Sequence, residues 1–222
     1  MPQVTVLQLD TSFPRIPGDV ASVETYLEPP QIIKVASARV RDAVTKTQSA
    51  NLFDIFLEAA RKADGDVIIT SCGFLAPLQE RLQHALTKPL LASVLNALPD
   101  LDRSDPLAPI PLITFDSAVL SAAHFPKASF YHQYDIIGLQ PNDHLRQLIE
   151  GQTKRFVKEK AEQDVAKAFA KRANKAASIC VLECTNLPPY KNVIRNMYDV
   201  EIYDILTQTE RLMPRSIKRE FL

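Results

Sequence analysis

Two cysteines stand out because their surroundings repeat. One segment reads V-I-I-T-S-C-G-F-L-A-P-L from Val67, the other I-C-V-L-E-C-T-N-L-P-P-Y from Ile179. At constant offset Cys72 aligns with Cys184, Leu75 with Leu187 and Pro77 with Pro189. Each is an apolar run, a cysteine, then the start of a helical pattern. In open α/β sheets the ends of such strands are where ligands bind. A thiol, with an ordinary pKa of about 8.5, can both accept and donate a proton near neutral pH. A helix start would further favour its thiolate through the dipole and free backbone N–H groups. Two such thiols on opposite walls of a cleft could take a proton from one face of a carbon and return one to the other. Cys180 has no counterpart at Ile68 and reads as a small buried residue.

The elements that must position these groups alternate in type. Apolar runs at Val4–Leu9, Ile32–Val35, Val67–Ile69, Leu112–Phe115, Ile179–Leu182 and Val200–Tyr203 predict strands. Between them, Asn51 reads as an N-cap before Leu52, Ile55, Phe56 and Ala59, with Gly65 beyond the helix end. Leu75, Leu78, Leu82 and Leu86 form another helical face, with Pro77 near its start. A helix is expected over Ser117–Ala123. A longer one is expected over Thr153–Ala176, with Phe156, Val157, Val165 and Phe169 inward and a solvated Lys/Glu face outward. A C-terminal helix closes the chain. The alternation predicts an α/β fold with mostly parallel sheets. The proline-rich stretch 98–111 suggests a crossing between lobes. Residues 1–98 with 207–222 would make a lobe carrying Cys72, and residues 99–206 a lobe carrying Cys184.

Several chemistries lose their usual support. Only five glycines occur in 222 residues, and none are spaced as G-x-G, as a phosphate loop or as the G-x-S-x-G elbow. H-E-x-x-H and C-x-x-C are absent and the four histidines are scattered. Twenty-six basic side chains balance 26 acidic ones, giving no electrostatic case for nucleic acid or an anionic membrane. Three cysteines are too few for a disulfide framework. No signal-peptide pattern opens the chain and no apolar run approaches the roughly 18 residues of a membrane span. A cytoplasmic protein acting on a small molecule is expected, with self-association left open.

Three segments resemble the aspartate/glutamate/hydantoin racemases: Asp10-Thr11-Ser12-Phe13-Pro14-Arg15, Ser71-Cys72-Gly73 and Glu183-Cys184-Thr185-Asn186. The resemblance implies two similar Rossmann-like or flavodoxin-like lobes related by a pseudo-twofold, with the active site between them. It implies cofactor-independent racemisation or epimerisation beside a carboxylate, with Cys72 and Cys184 as the catalytic thiols. Asp10 resembles the family's strand-end acid, Thr185 its hydroxyl residue after the second cysteine, and Thr114 and Ser117 its polar helix start. Glutamate racemases carry histidine where this chain has Asn186, and Asn-Thr where it has Gly73-Phe74. The resemblance therefore does not carry glutamate over as the substrate.

Read for their chemistry, Ser71, Gly73, Thr185 and Asn186, with the backbone N–H groups after the cysteines, could bind a carboxylate and its developing charge. Arg15 could hold a second carboxylate in bidentate fashion, and Thr11 and Asp10 could face the substrate. No metal or cofactor is called for. Within the same architecture, a maleate-isomerase-like or decarboxylase-like enzyme stays open, as does a small-molecule-binding protein without turnover.

Overall fold

The computed structural model describes residues 3–100 and 109–222. Strands β1 (Val4–Leu9), β2 (Gln31–Val35), β3 (Val67–Thr70) and β4 (Leu90–Leu91) form one sheet in the order β2-β1-β3-β4. Strands β5 (Ile110–Thr114), β6 (Tyr134–Gly138), β7 (Ile179–Leu182) and β8 (Glu201–Tyr203) form a second, ordered β6-β5-β7-β8. Every pairing is parallel. The two sheets therefore repeat one topology, as the echo around the cysteines predicts.

Parallel strands need crossovers, and these cover the sheets with α1 (Val40–Ala43), α2 (Ala50–Ala60), α3 (Gln79–His84), α4 (Ala128–Tyr131), α5 (His144–Ile149), α6 (Lys158–Ala170), α7 (Lys191–Met197) and α8 (Ile205–Leu212). With both faces covered, β1, β3 and β5 are buried along their whole length. This is why they read as unbroken apolar runs rather than alternating ones. The larger core joins both sheets through residues such as Leu7, Ile68, Leu112 and Val181. A second core packs Val4, Val6, Val67 and Ile69 against Ile205, Leu206 and Ile217, so the C-terminal segment covers the back of the first sheet. Lys191 and Asp204, both buried, pair at 2.8 Å at the foot of α8.

Three local expectations need correction. Ser117–Ala123 is not a helix but a turn followed by a 3-10 turn at Ala122–His124. Asp116 captures the Ala118 N–H with its side chain at 2.9 Å, and Ser121 and His124 close their own cap. Such local bonds compete with the helical ladder. The helix expected over Thr153–Ala176 spans only α6, Lys158–Ala170, so Phe156 and Val157 lie ahead of it. Its charged residues are also not all solvated: Asp164 accepts from the Leu145 N–H, and Arg172 is buried over the rings of Phe169 and Tyr198. Finally, Ser49 rather than Asn51 caps α2. Of the stretch 98–111, residues 101–108 lie outside the described residues; Ile110 and Pro111 already belong to β5.

Candidate functional site

Both sheets have a switch point where the chain reverses its direction of winding, between β1 and β3 and between β5 and β7. Ligands of open α/β folds gather outside the strand ends at such points. Here the loops leaving all four of these strands close on a common cavity. Leu9, Thr11, Phe13 and Arg15 follow or end β1; Ser71, Cys72, Gly73 and Phe74 follow β3; Phe115 follows β5; Glu183, Cys184, Thr185 and Asn186 follow β7. The echo is literal in three dimensions. After each cysteine comes a 3-10 turn, Gly73–Leu78 or Pro188–Tyr190, leading into α3 or α7.

The cavity holding the thiols measures about 20 Å³, room for roughly one water. It adjoins an outer cleft of about 570 Å³ whose lining includes Asp10, Arg41, Asp116, Arg146 and Lys154. Thr11, Phe13, Val40, Val44, Phe115 and Ile149 border both spaces. The inner cavity is therefore too small for a ligand larger than about one water unless it widens.

Cys72 and Cys184 are both buried and each is unpaired. The expectation that helix starts would favour their thiolates fails in this closed site. Burial pushes the Cys72 thiol up to about 12, and the neighbouring Glu183 adds to the rise; the Phe74 backbone N–H and Arg15 pull it back only in part. Cys184 is pushed well above the ordinary range by burial, then by Glu183, with smaller contributions from Cys72 and Asp19. Desolvation outweighs the favourable backbone donors at both. Cys184 Sγ lies 3.9 Å from Asn186 Oδ1, a weak thiol donor contact. Cys180 faces the core of its own lobe with no exposed surface, and burial pushes its thiol up too.

Arg15 has its planar fork already engaged. Nη1 donates to both oxygens of Asp19, at 3.1 and 3.3 Å, and Nη2 donates to Thr11 Oγ1 at 2.7 Å. The guanidinium also lies 4.0 Å over the Phe13 ring. Bidentate capture of a substrate carboxylate would have to displace these partners; only Nε is left without one. Asp19 in turn accepts from Asn186 Nδ2 at 2.8 Å. A chain of contacts thus runs from Arg15 through Asp19 and Asn186 to Cys184. Gly18 enables it: with φ at +91° it presses against Pro189, and a Cβ there would stand 2.9 Å from Pro189 Cα.

The remaining expected residues divide clearly. Ser71 and Thr185 line the cavity, but their polar groups hold the frame. Ser71 Oγ accepts from the Leu9 N–H at 2.9 Å, and Thr185 Oγ1 donates to the Ser71 carbonyl at 2.6 Å. Asp10 is exposed in the outer cleft, 3.9 Å from Lys34 Nζ, and lies outside the inner cavity. Thr114 is fully buried behind the cavity wall and donates to Glu183 Oε2 at 2.6 Å. Ser117 is exposed, packs against Gly138 and borders neither space, because the turn at Asp116 carries it away.

Two residues of the site were not on the expected list, Glu183 and Asp19. Glu183 is buried at the end of β7 beside both thiols, and burial pushes its carboxyl up to about 7 against the opposing pull of Thr114 and the Phe115 backbone N–H. The signal was available in sequence: an acid placed directly after a buried-type run, at the position Ser71 holds in the echo. Gly73 leaves the room for it, since a Cβ at that position would collide with the Glu183 carboxyl and carbonyl. Asp19 is 167 positions from Asn186, and nothing local announces that contact.

No family model matches the chain. Solved structures with the same architecture include glutamate racemase from Francisella tularensis, captured with D-glutamate. It is 15% identical with a TM-score of 0.56, over 96% of this chain and 79% of that one. The two share one fold. Allantoin racemase from Pseudomonas fluorescens has it as well, at 12% identity and a TM-score of 0.56, over 98% of this chain and 95% of that one. At these identities the likeness is one of fold. Among curated proteins, dimethylsulfoniopropionate lyase 5 of Emiliania huxleyi is 24% identical over 93% of this chain. The chain spans under half of that relative, 44% of its length.

Proposed function

We propose that the chain is a cofactor-independent racemase or epimerase that moves a proton at the carbon next to a carboxylate, using Cys72 and Cys184 as opposed acid and base. The observation that carries this reading is that one thiol from each lobe borders a single small cavity, close enough that Cys72 raises the pKa of Cys184. One sulfur must be thiolate and the other thiol at the start of a turnover, with roles exchanged in the reverse direction. The fold shared with glutamate and allantoin racemases supports an isomerase of this kind. The substrate class is a small amino acid or related carboxylate compound, reached through the charged outer cleft.

The test is solvent-deuterium exchange at the α-carbon, followed by NMR across amino acids, hydantoins and dicarboxylic acids. Exchange accompanied by loss of optical activity is the expected result. Measurable binding without exchange in any compound would instead make the chain a small-molecule-binding protein. Exchange that ends in loss of a β-substituent would make it a lyase built on the same first step.

A further inference from the structure

Two residues on the lining of the inner cavity each carry a buried polar atom without a partner, Glu183 Oε1, which lies against Gly73, and Arg15 Nε. They belong to different lobes, one on the loop after β7 and the other on the loop after β1. The other atoms of both groups are already placed: Glu183 Oε2 accepts from Thr114 Oγ1, and the Arg15 fork is held by Asp19 and Thr11. Buried polar groups in folded proteins are almost always paired, so two on the lining of one cavity point to a ligand that completes both. We infer that Glu183 works as a neutral carboxylic acid whose Oε1 hydroxyl hydrogen-bonds the carboxylate of the substrate, with the Arg15 Nε–H as the second donor. This rests on reading the cavity as the place where a carboxylate compound reacts.

The chemistry is self-consistent. Thr114 donates to Oε2, which leaves Oε1 to carry the acid proton. A carboxylate arriving beside an ionised Glu183 would meet like charge, so binding draws a proton onto Glu183. That protonation removes the Glu183 charge that raises both thiols, and so offsets the negative charge the ligand carboxylate brings into the cavity. The charged and titratable groups around Glu183 are Cys72 after β3, Cys184 beside it, and Arg15 and Asp19 after β1. Thr114, the last residue of β5, and Phe115 after it contribute only neutral donors, and Arg146 and Asp116 pair with each other at 2.7 Å in the outer cleft. The Glu183 carboxyl, pushed up to about 7, is the group poised to change near neutral pH, with Cys72 far above at about 12.

The experiment measures binding of 2-fluoropropionate by fluorine NMR between pH 6 and 9, without reference to turnover. In the wild type the dissociation constant should be flat below about pH 7 and rise about tenfold per pH unit above it, one proton being taken up per ligand. Glu183→Gln, whose amide always donates, should bind with no such dependence. Thr114→Val removes a bond that lowers the Glu183 pKa, so its break should move to higher pH. Equal slopes in wild type and Glu183→Gln, an unmoved break in Thr114→Val, or no binding by the wild type would each overturn the proposal. The α-proton exchange test can fail while this pH-linked binding holds, and the reverse, so the two readings fall separately.

Discussion

The hydroxyl of Thr185 donates to the backbone carbonyl of Ser71 over 2.6 Å. The residue after one cysteine is thus tied to the residue before the other, 114 positions away, and both are buried. This bond spans the two sheets at the point where the thiols meet. It ties the two strand-end loops together beside a cavity with room for roughly one water.

Thr185→Val should therefore loosen the junction without emptying it. Leaving the Ser71 carbonyl without this donor should cost roughly 1–3 kcal/mol of stability, measured by urea denaturation. Any turnover should fall through kcat more than through KM, since the defect is in thiol placement. Thr185→Ser, which keeps the donor, should restore both; a Ser variant as impaired as Val would show that keeping the donor is not enough and would overturn the assignment of the effect to this bond.

Six of the eight described strands and the echo around the cysteines were legible because both are local signals; β4 (Leu90–Leu91) and β6 (Tyr134–Gly138) were not among the expected strands. Val67–Ile69 and Ile179–Leu182 are short apolar runs of the kind expected of a strand buried on both faces, and each is followed by the same cysteine-to-proline spacing. The helix expected at Ser117–Ala123 failed because Asp116 and Ser121 spend their side chains on nearby backbone, a preference that apolar spacing does not reveal. The role of Ser71 and Thr185 as frame rather than as free ligands was hidden for another reason. Their partners come from other strands, so composition shows the hydroxyls but not what already occupies them. Glu183 read as part of a turn although it directly follows a buried-type run, and the fold shows it buried beside both thiols.

If each thiol serves one face of the substrate, Cys72→Ala and Cys184→Ala should both abolish racemisation in both directions. Each variant should still deprotonate the enantiomer that its surviving thiol faces. A substrate analogue with a leaving group on the β-carbon would show this as elimination, from opposite enantiomers in the two variants. An alanine variant that still racemises within about tenfold of wild type, roughly 1.4 kcal/mol of barrier, would require a single movable base.

Thiol alkylation should sort the three cysteines. With the Cys72 thiol pushed up to about 12, its reaction with iodoacetamide should climb about tenfold per pH unit from 7 to 9. A thiol of ordinary pKa would begin to level off in that range. Cys180, with no exposed surface inside β7, should stay unmodified until the protein unfolds. Peptide mass spectrometry reads all three at once, and a plateau for Cys72 below pH 9 would contradict the raised pKa.

The Lys191–Asp204 pair offers a test of the fold apart from the site. Asp204 accepts from the Thr207 N–H at 2.9 Å as the cap of α8, while pairing with Lys191 in the core. Asp204→Ala should cost roughly 3–5 kcal/mol, because it strands a buried ammonium. Adding Lys191→Met should recover part of that loss rather than deepen it. Strictly additive losses in a urea double-mutant cycle would show that the two charges are not coupled.

Glu183 should also leave a mark on stability, whatever the protein binds. Its carboxyl is raised from an ordinary 4.5 to about 7 in the folded state, chiefly by burial. Between those values the folded protein holds a proton that the unfolded chain has released, so unfolding gains from rising pH across that window. The sign follows directly: the stability that Glu183 contributes relative to its unfolded state is fully present below about pH 4.5, falls as pH rises, and is gone above about pH 7. Integrated over the window, the loss is about 3 kcal/mol. Glu183→Gln has no such titration. Urea unfolding of both proteins from pH 4 to 8 should show the variant gaining on the wild type as pH rises through 4.5 to 7, with the difference constant above. A difference that does not change with pH would mean that Glu183 ionises at its ordinary value in the folded protein and cannot serve as a neutral donor near pH 7.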